Sequence, residues 1–150
     1  EGGFARNALV NQPAALVRSA LAASRGPLVS RWGHILLRRA LASRLNAPAG
    51  MEAAEFAALR AAALNAMGES AVARALVQDV DGGNYTPALS EAARQAYLAT
   101  GDVLGMCPVL KLQPVADAAA DTGSNAAQGG EWELQRAICT AYEGEARSAE

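Results

Sequence analysis

The sequence holds one histidine, two cysteines and few aromatic residues, and each scarcity excludes a class of chemistry. His34 alone cannot build a multi-histidine metal site. No Gly-x-Ser-x-Gly or similar nucleophile motif accompanies it, so it reads as a structural residue one helical turn before Arg38. Cys107 and Cys139 do not form a Cys-x-x-Cys redox or zinc motif. No apolar run approaches the ~18 residues of a membrane span. Aromatic residues make up 5% of the chain although 51% is hydrophobic, because alanine supplies 37 of the 150 positions. Such a core is built from close helix contacts rather than bulky side chains. Alanine also loses no side-chain entropy in a helix, so composition favours helix before any pattern is read.

Carboxylates give no clearer signal. Glu52 and Glu55 share a helix face, but the Glu-x-x-His pairs of a di-iron bundle are missing. The stretch from Asp79 to Asn84 opens like a calcium loop, yet its sixth position is Asn84 instead of glycine and its twelfth is Ser90 instead of glutamate. No catalytic residue, metal ligand or cofactor is therefore expected, and the chain reads as non-enzymatic.

What the sequence does contain is helix punctuation. Residues 1–11 read as a lead-in, and 12–150 as a single helical domain. Pro13 suits a first helical turn, with Leu16, Val17, Ala20 and Leu21 as its apolar face and Gly26 as its stop. Pro27 opens a second helix whose apolar face is Leu28, Val29, Trp32, Ile35, Leu36, Ala40 and Leu45. Glu52 to Met67, stopped by Gly68, pairs with Glu69 to Val80 across a one-glycine turn. Thr86 and Pro87 are cap and first residue of another helix, which Gly101 stops. Asp102 caps a shorter helix over Val103 to Cys107, with Pro108 either inside it or ending it. Residues 115–130 lack a periodic apolar face and predict a mobile loop. A last helix follows, with Trp132, Leu134, Ile138, Ala141 and Tyr142 inward and Gly144 as its stop.

The glycines at 26, 68, 101 and 144 lie 42, 33 and 43 residues apart, which predicts an α-solenoid-like array of about seven to eight helices in antiparallel hairpins. The segments Ala96-Tyr97-Leu98-Ala99-Thr100-Gly101-Asp102 and Ala141-Tyr142-Glu143-Gly144-Glu145-Ala146-Arg147, with Leu64, Gly68 and Ala75, resemble the turn region of tetratricopeptide-type repeats. The family's Trp-Leu-Gly opening is absent and two intervals exceed its period, which places the chain nearer a looser helical-hairpin repeat. The resemblance implies binding of a protein or peptide on a concave face, and transfers no catalytic residue. After Gly144 there is no clear polar cap, so further chain or a partner subunit is expected to continue the stack.

Charge is strongly segregated. Residues 1–50 carry seven arginines against Glu1, whereas 101–150 carry eight acids against three basic residues. The basic helix around Arg31, Trp32, Arg38 and Arg39 is the candidate contact surface, because arginine and tryptophan are the usual interface anchors. One basic helix in a chain of net charge −2 is a weak footprint for nucleic acid, and a protein or peptide partner with acidic character fits better. Contact with a membrane surface is the other use of such a helix. Cys107 and Cys139 are expected to form a disulfide in an exported chain, or to be two small core residues in a cytoplasmic one.

Together these readings predict an exported, periplasmic bacterial scaffold or assembly component built on helical repeats. The alternatives are an accessory domain of a larger cell-wall enzyme and a carrier of a lipid or other hydrophobic ligand.

Overall fold

The computed structural model describes residues 3–24, 29–112 and 126–148, with the backbone alone for 126–129 and 145–148. The described residues form seven α-helices and one 3-10 turn, with no strand: α1 (Ala14–Ala23), α2 (Arg31–Ala42), α3 (Ala53–Ala66), α4 (Ser70–Gln78), the turn Gly82–Asn84, α5 (Pro87–Ala99), α6 (Val103–Leu112) and α7 (Ala126–Ser148). The chain is all-α, as its composition predicts.

The centre is α3. Its alanines leave room for neighbours on several sides, and α1, α2, α4 and α5 all pack against it. Ala61, Ala63 and Leu64 on α3 are sealed from solvent together with Ala73 and Val77 on α4 and Leu89, Ala93 and Ala96 on α5. A methyl-lined contact of this kind lets backbones approach closely, so the core gains from many weak dispersion contacts despite its small side chains. A smaller apolar cluster of Val17, Met51 and Phe56 lies under α1. α1 is also tied to α3 by a forked ion pair in which Arg18 Nη2 meets Glu55 Oε2 at 2.9 Å.

Two helix ends share one geometry. Gly68 (φ +80°) and Gly101 (φ +69°) take the left-handed conformation that glycine adopts without steric cost. The Glu69 N–H then donates to the Leu64 carbonyl, and the Asp102 N–H to the Tyr97 carbonyl, each at 2.9 Å. This six-to-one bond closes the last turn and redirects the chain. Thr86 accepts the Leu89 N–H at 3.2 Å and Pro87 follows at the first helical position. Asp102 Oδ1 accepts the Gly105 N–H at 2.8 Å. Gly68, between α3 and α4, and Gly101, between α5 and α6, stand 33 residues apart.

Several expectations are corrected. Gly144 stops nothing: α7 passes through it to Ser148, so the residues beyond it continue one helix instead of starting another. Only Gly68 and Gly101 of the four glycines are seen to end helices, since Gly26 and Pro27 lie outside the described residues. α1 ends at Ala23, and α2 begins at Arg31 under the Ser30 hydroxyl, which accepts the Gly33 N–H at 3.3 Å. The loop predicted for 115–130 lies outside the described residues as far as 125, and α7 already starts at Ala126. Pro108 stands inside α6. Its missing N–H frees the carbonyl one turn earlier, on the exposed residue Leu104.

Candidate interaction surface

α2 is rotated relative to the expected face. Leu41 is buried and Leu37 packs against the core, while Trp32 is 80% exposed and Leu36 60% exposed. A cluster around Glu69 holds the helix in this rotation. His34 Nε2 and Arg38 Nε each approach one oxygen of Glu69, both at 2.9 Å, and fasten α2 to the start of α4. Contact with His34 first, and the charge and hydrogen bond of Arg38 as well, hold the Glu69 carboxyl below its ordinary value of 4.5 against the opposing effect of partial burial. With His34 and Leu37 facing inward, positions 32, 36 and 39 necessarily face out, because residues three and four apart share one side of a helix.

Of the four predicted contact residues, Arg38 is thus held by Glu69, whereas Arg31 and Arg39 have no ion pair among the described residues. Trp32, Leu36 and Arg39 form one outward stripe, with Arg31 beside its first member.

A second exposed stripe lies at the other end. Leu134, Ile138 and Tyr142, expected inward, are exposed on α7, and its buried positions are Gln135 and Cys139. α5 decides this orientation. Arg94 is buried and needs polar company: it pairs with Glu91 at 2.8 Å, reaches Glu131 Oε2 at 3.4 Å and Gln135 Oε1 at 3.5 Å, and lies 5.4 Å from the centroid of the Trp132 ring. Cys139 then falls opposite Cys107, and the two form a disulfide with sulfurs 2.05 Å apart. Lys111 and Glu143 add an ion pair one turn further on.

Arg60 is the residue that sequence reading missed. It sits one turn after Phe56 on α3, on the buried side, and is 4% exposed. Its Nε donates to the Leu41 carbonyl at 2.9 Å, and its Nη2 donates to the Leu41 and Ser43 carbonyls, closing the open C-terminal end of α2. The guanidinium lies 5.2 Å from the centroid of the Phe56 ring. No carboxylate among the described residues pairs with it, and burial pulls its pKa down to about 10. An arginine interrupting an apolar helix face was the one available signal.

Two cavities meet at this residue. One, of about 800 Å³, lies between the segment after α2 and the helices α3 and α4, and its charged lining among the described residues is Arg6, Arg44, Arg60 and Asp79. The other, of about 310 Å³, lies between α1, α2 and α3 and is almost wholly apolar, with Leu16, Val17, Leu37 and Leu41 among its walls. Leu45, Phe56 and Arg60 line both.

The stretch from Asp79 to Asn84 is a helix end followed by the 3-10 turn. Among the described residues no group of three or more histidine, cysteine, aspartate or glutamate side chains is placed to hold a metal ion. Among them, too, no helix is long and apolar enough to cross a membrane. Compared with protein-family models, curated proteins and solved structures, the chain matches none.

Proposed function

We propose that the chain is a non-enzymatic helical module that binds another protein through the outer face of α2. The observation carrying this reading is the pairing of an exposed Trp32 and Leu36 with two arginines, Arg31 and Arg39, that have no ion-pair partner among the described residues. Leaving a tryptophan and a leucine in water forgoes about 1.5–3 kcal/mol of burial for a side chain of leucine size, and a docked partner recovers it. Arginines around an aromatic anchor favour an acidic partner surface and speed its approach. The reading draws support from the two successive hairpins α3–α4 and α5–α6, whose offset of 33 residues is close to the ~34 of tetratricopeptide-type repeats. The disulfide supports folding in an oxidising compartment, hence an exported scaffold.

A photo-crosslinking residue at position 32 or 36, installed in the native host, tests it. The expected result is a discrete crosslinked species at both positions, absent when the probe is at exposed Gln78, and lost on Arg31→Glu with Arg39→Glu. An identical crosslinking pattern at Gln78, or one that survives charge reversal, rejects this face.

A further inference from the structure

The buried guanidinium of Arg60 has no counter-charge among the described residues. Carbonyl oxygens occupy its Nε and Nη2, its Nη1 is left to solvent, and no carboxylate among the described residues neutralises the charge. Removing a charge from water costs several kcal/mol unless a counter-charge or hydrogen bonds compensate, and carbonyl dipoles do so only in part. The surrounding cleft raises the demand. Among the described residues Arg6 and Arg44 line it along with Arg60, against the single carboxylate of Asp79, so the described charged lining sums to +2. A concave site lined by charge of one sign concentrates counter-ions. Next to the cleft, sharing Leu45, Phe56 and Arg60 as lining, lies the apolar cavity of about 310 Å³. An apolar cavity of ~150 Å³ is enough to hold benzene, so this chamber has room for a longer hydrocarbon.

We propose that the wall formed by Leu45, Phe56 and Arg60 seats a single-chain anionic amphiphile. Its oxyanion head accepts from Nη1 of Arg60, the nitrogen that the carbonyls leave free, in the cleft shared with Arg6 and Arg44, and its hydrocarbon chain occupies the apolar cavity under α1. A planar guanidinium matches both carboxylate and phosphate oxygens, so a fatty acid and a lysolipid phosphate present the same recognised chemistry. Phe56, whose ring centroid is 5.2 Å from the guanidinium, helps to hold Arg60 in position. The site is independent of the protein-docking face, because Arg31, Trp32 and Arg39 line neither cavity.

The test uses the whole chain with its disulfide intact. Decanoate, decyl phosphate and decanol are titrated below their aggregation concentrations by calorimetry, with the Arg60 Nε–Hε signal followed by NMR. The expected result is saturable one-to-one binding of at least one of the two anions, a shift of the Arg60 signal, and decanol binding at least tenfold weaker. Tighter binding of decanoate identifies a carboxylate ligand, and tighter binding of decyl phosphate a phosphate headgroup.

Arg60→Lys keeps the charge and loses the fork, but it also loosens the end of α2. The exposed pair Arg6→Glu with Arg44→Glu therefore serves as the second variant. It is expected to weaken the anion at least tenfold and leave decanol unchanged. Equal affinity for decanol and the anions, unchanged anion binding in the Arg6/Arg44 variant, or no saturable binding of either anion overturns the proposal.

Discussion

Replacing Cys107 and Cys139 together by serine should be the most informative perturbation of the fold. The bond closes a loop of sequence separation 32. With the chain-entropy relation, a loop of that length restricts the unfolded ensemble by about 12 cal/mol/K, or about 3.7 kcal/mol at 25 °C. At an unfolding entropy of ~2.1 cal/mol/K per residue, that predicts a fall in Tm of about 12 °C. The loss should also be local. α7 packs chiefly on α6, and its further ties include the contacts of Arg94 with Glu131, Trp132 and Gln135, the packing of Trp132 against the core and the ion pair of Lys111 with Glu143. Ion pairs between partly exposed groups contribute little, a median of ~0–1 kcal/mol each. Hydrogen exchange of the variant should therefore show α7 amides unprotected while α3 and α5 stay protected. Calorimetry and exchange on wild-type and variant protein decide it. A Tm change under ~3 °C, or α7 amides as protected as those of α3, would refute the argument that this bond is the main attachment of α7.

Three further outcomes follow from the packing. Ala93→Leu, at a fully buried position of the core, should destabilise by ~1–3 kcal/mol through overpacking, measured by urea unfolding. Gly68→Ala, at φ +80°, should cost ~1–2 kcal/mol, whereas Gly144→Ala, inside α7 with open space around the new methyl, should be neutral or stabilise by up to ~1 kcal/mol; thermal melts of both variants compare them directly. Because Glu69 is held below its ordinary 4.5, its contribution is present above that pH and is lost as pH falls through the lower folded value. An acid titration of wild-type stability should thus fall more steeply below pH 4.5 than that of Glu69→Gln; identical slopes would remove Glu69 as the anchor of α2.

The helical class and several helix boundaries are legible in the amino-acid order alone. Thr86 with Pro87, Gly68, Gly101 and Asp102 act where they were expected, because a cap bond or a left-handed turn is made within a few residues of the chain and owes nothing to distant partners. The pairing of Cys107 with Cys139 was legible for a related reason, since the chain contains no other cysteine. Which face of each helix turns inward was decided only by tertiary structure. Apolar periodicity grouped Trp32 and Leu36 with the apolar face of α2 while the contact reading needed Trp32 outside; His34 and Arg38, meeting Glu69 from α4, turn both out. Periodicity also put Leu134, Ile138 and Tyr142 inside, but the buried Arg94 requires Gln135 and Trp132, and the disulfide holds that rotation. Gly144 reads as a stop, yet a helix continues through a glycine when the flanking residues stay helical. Arg60 closes α2 from α3 across a separation of 19 residues, a relation no local pattern encodes. In a core made of alanine the hydrophobic difference between helix faces is small, so a few buried charges and one covalent bond decide the orientation.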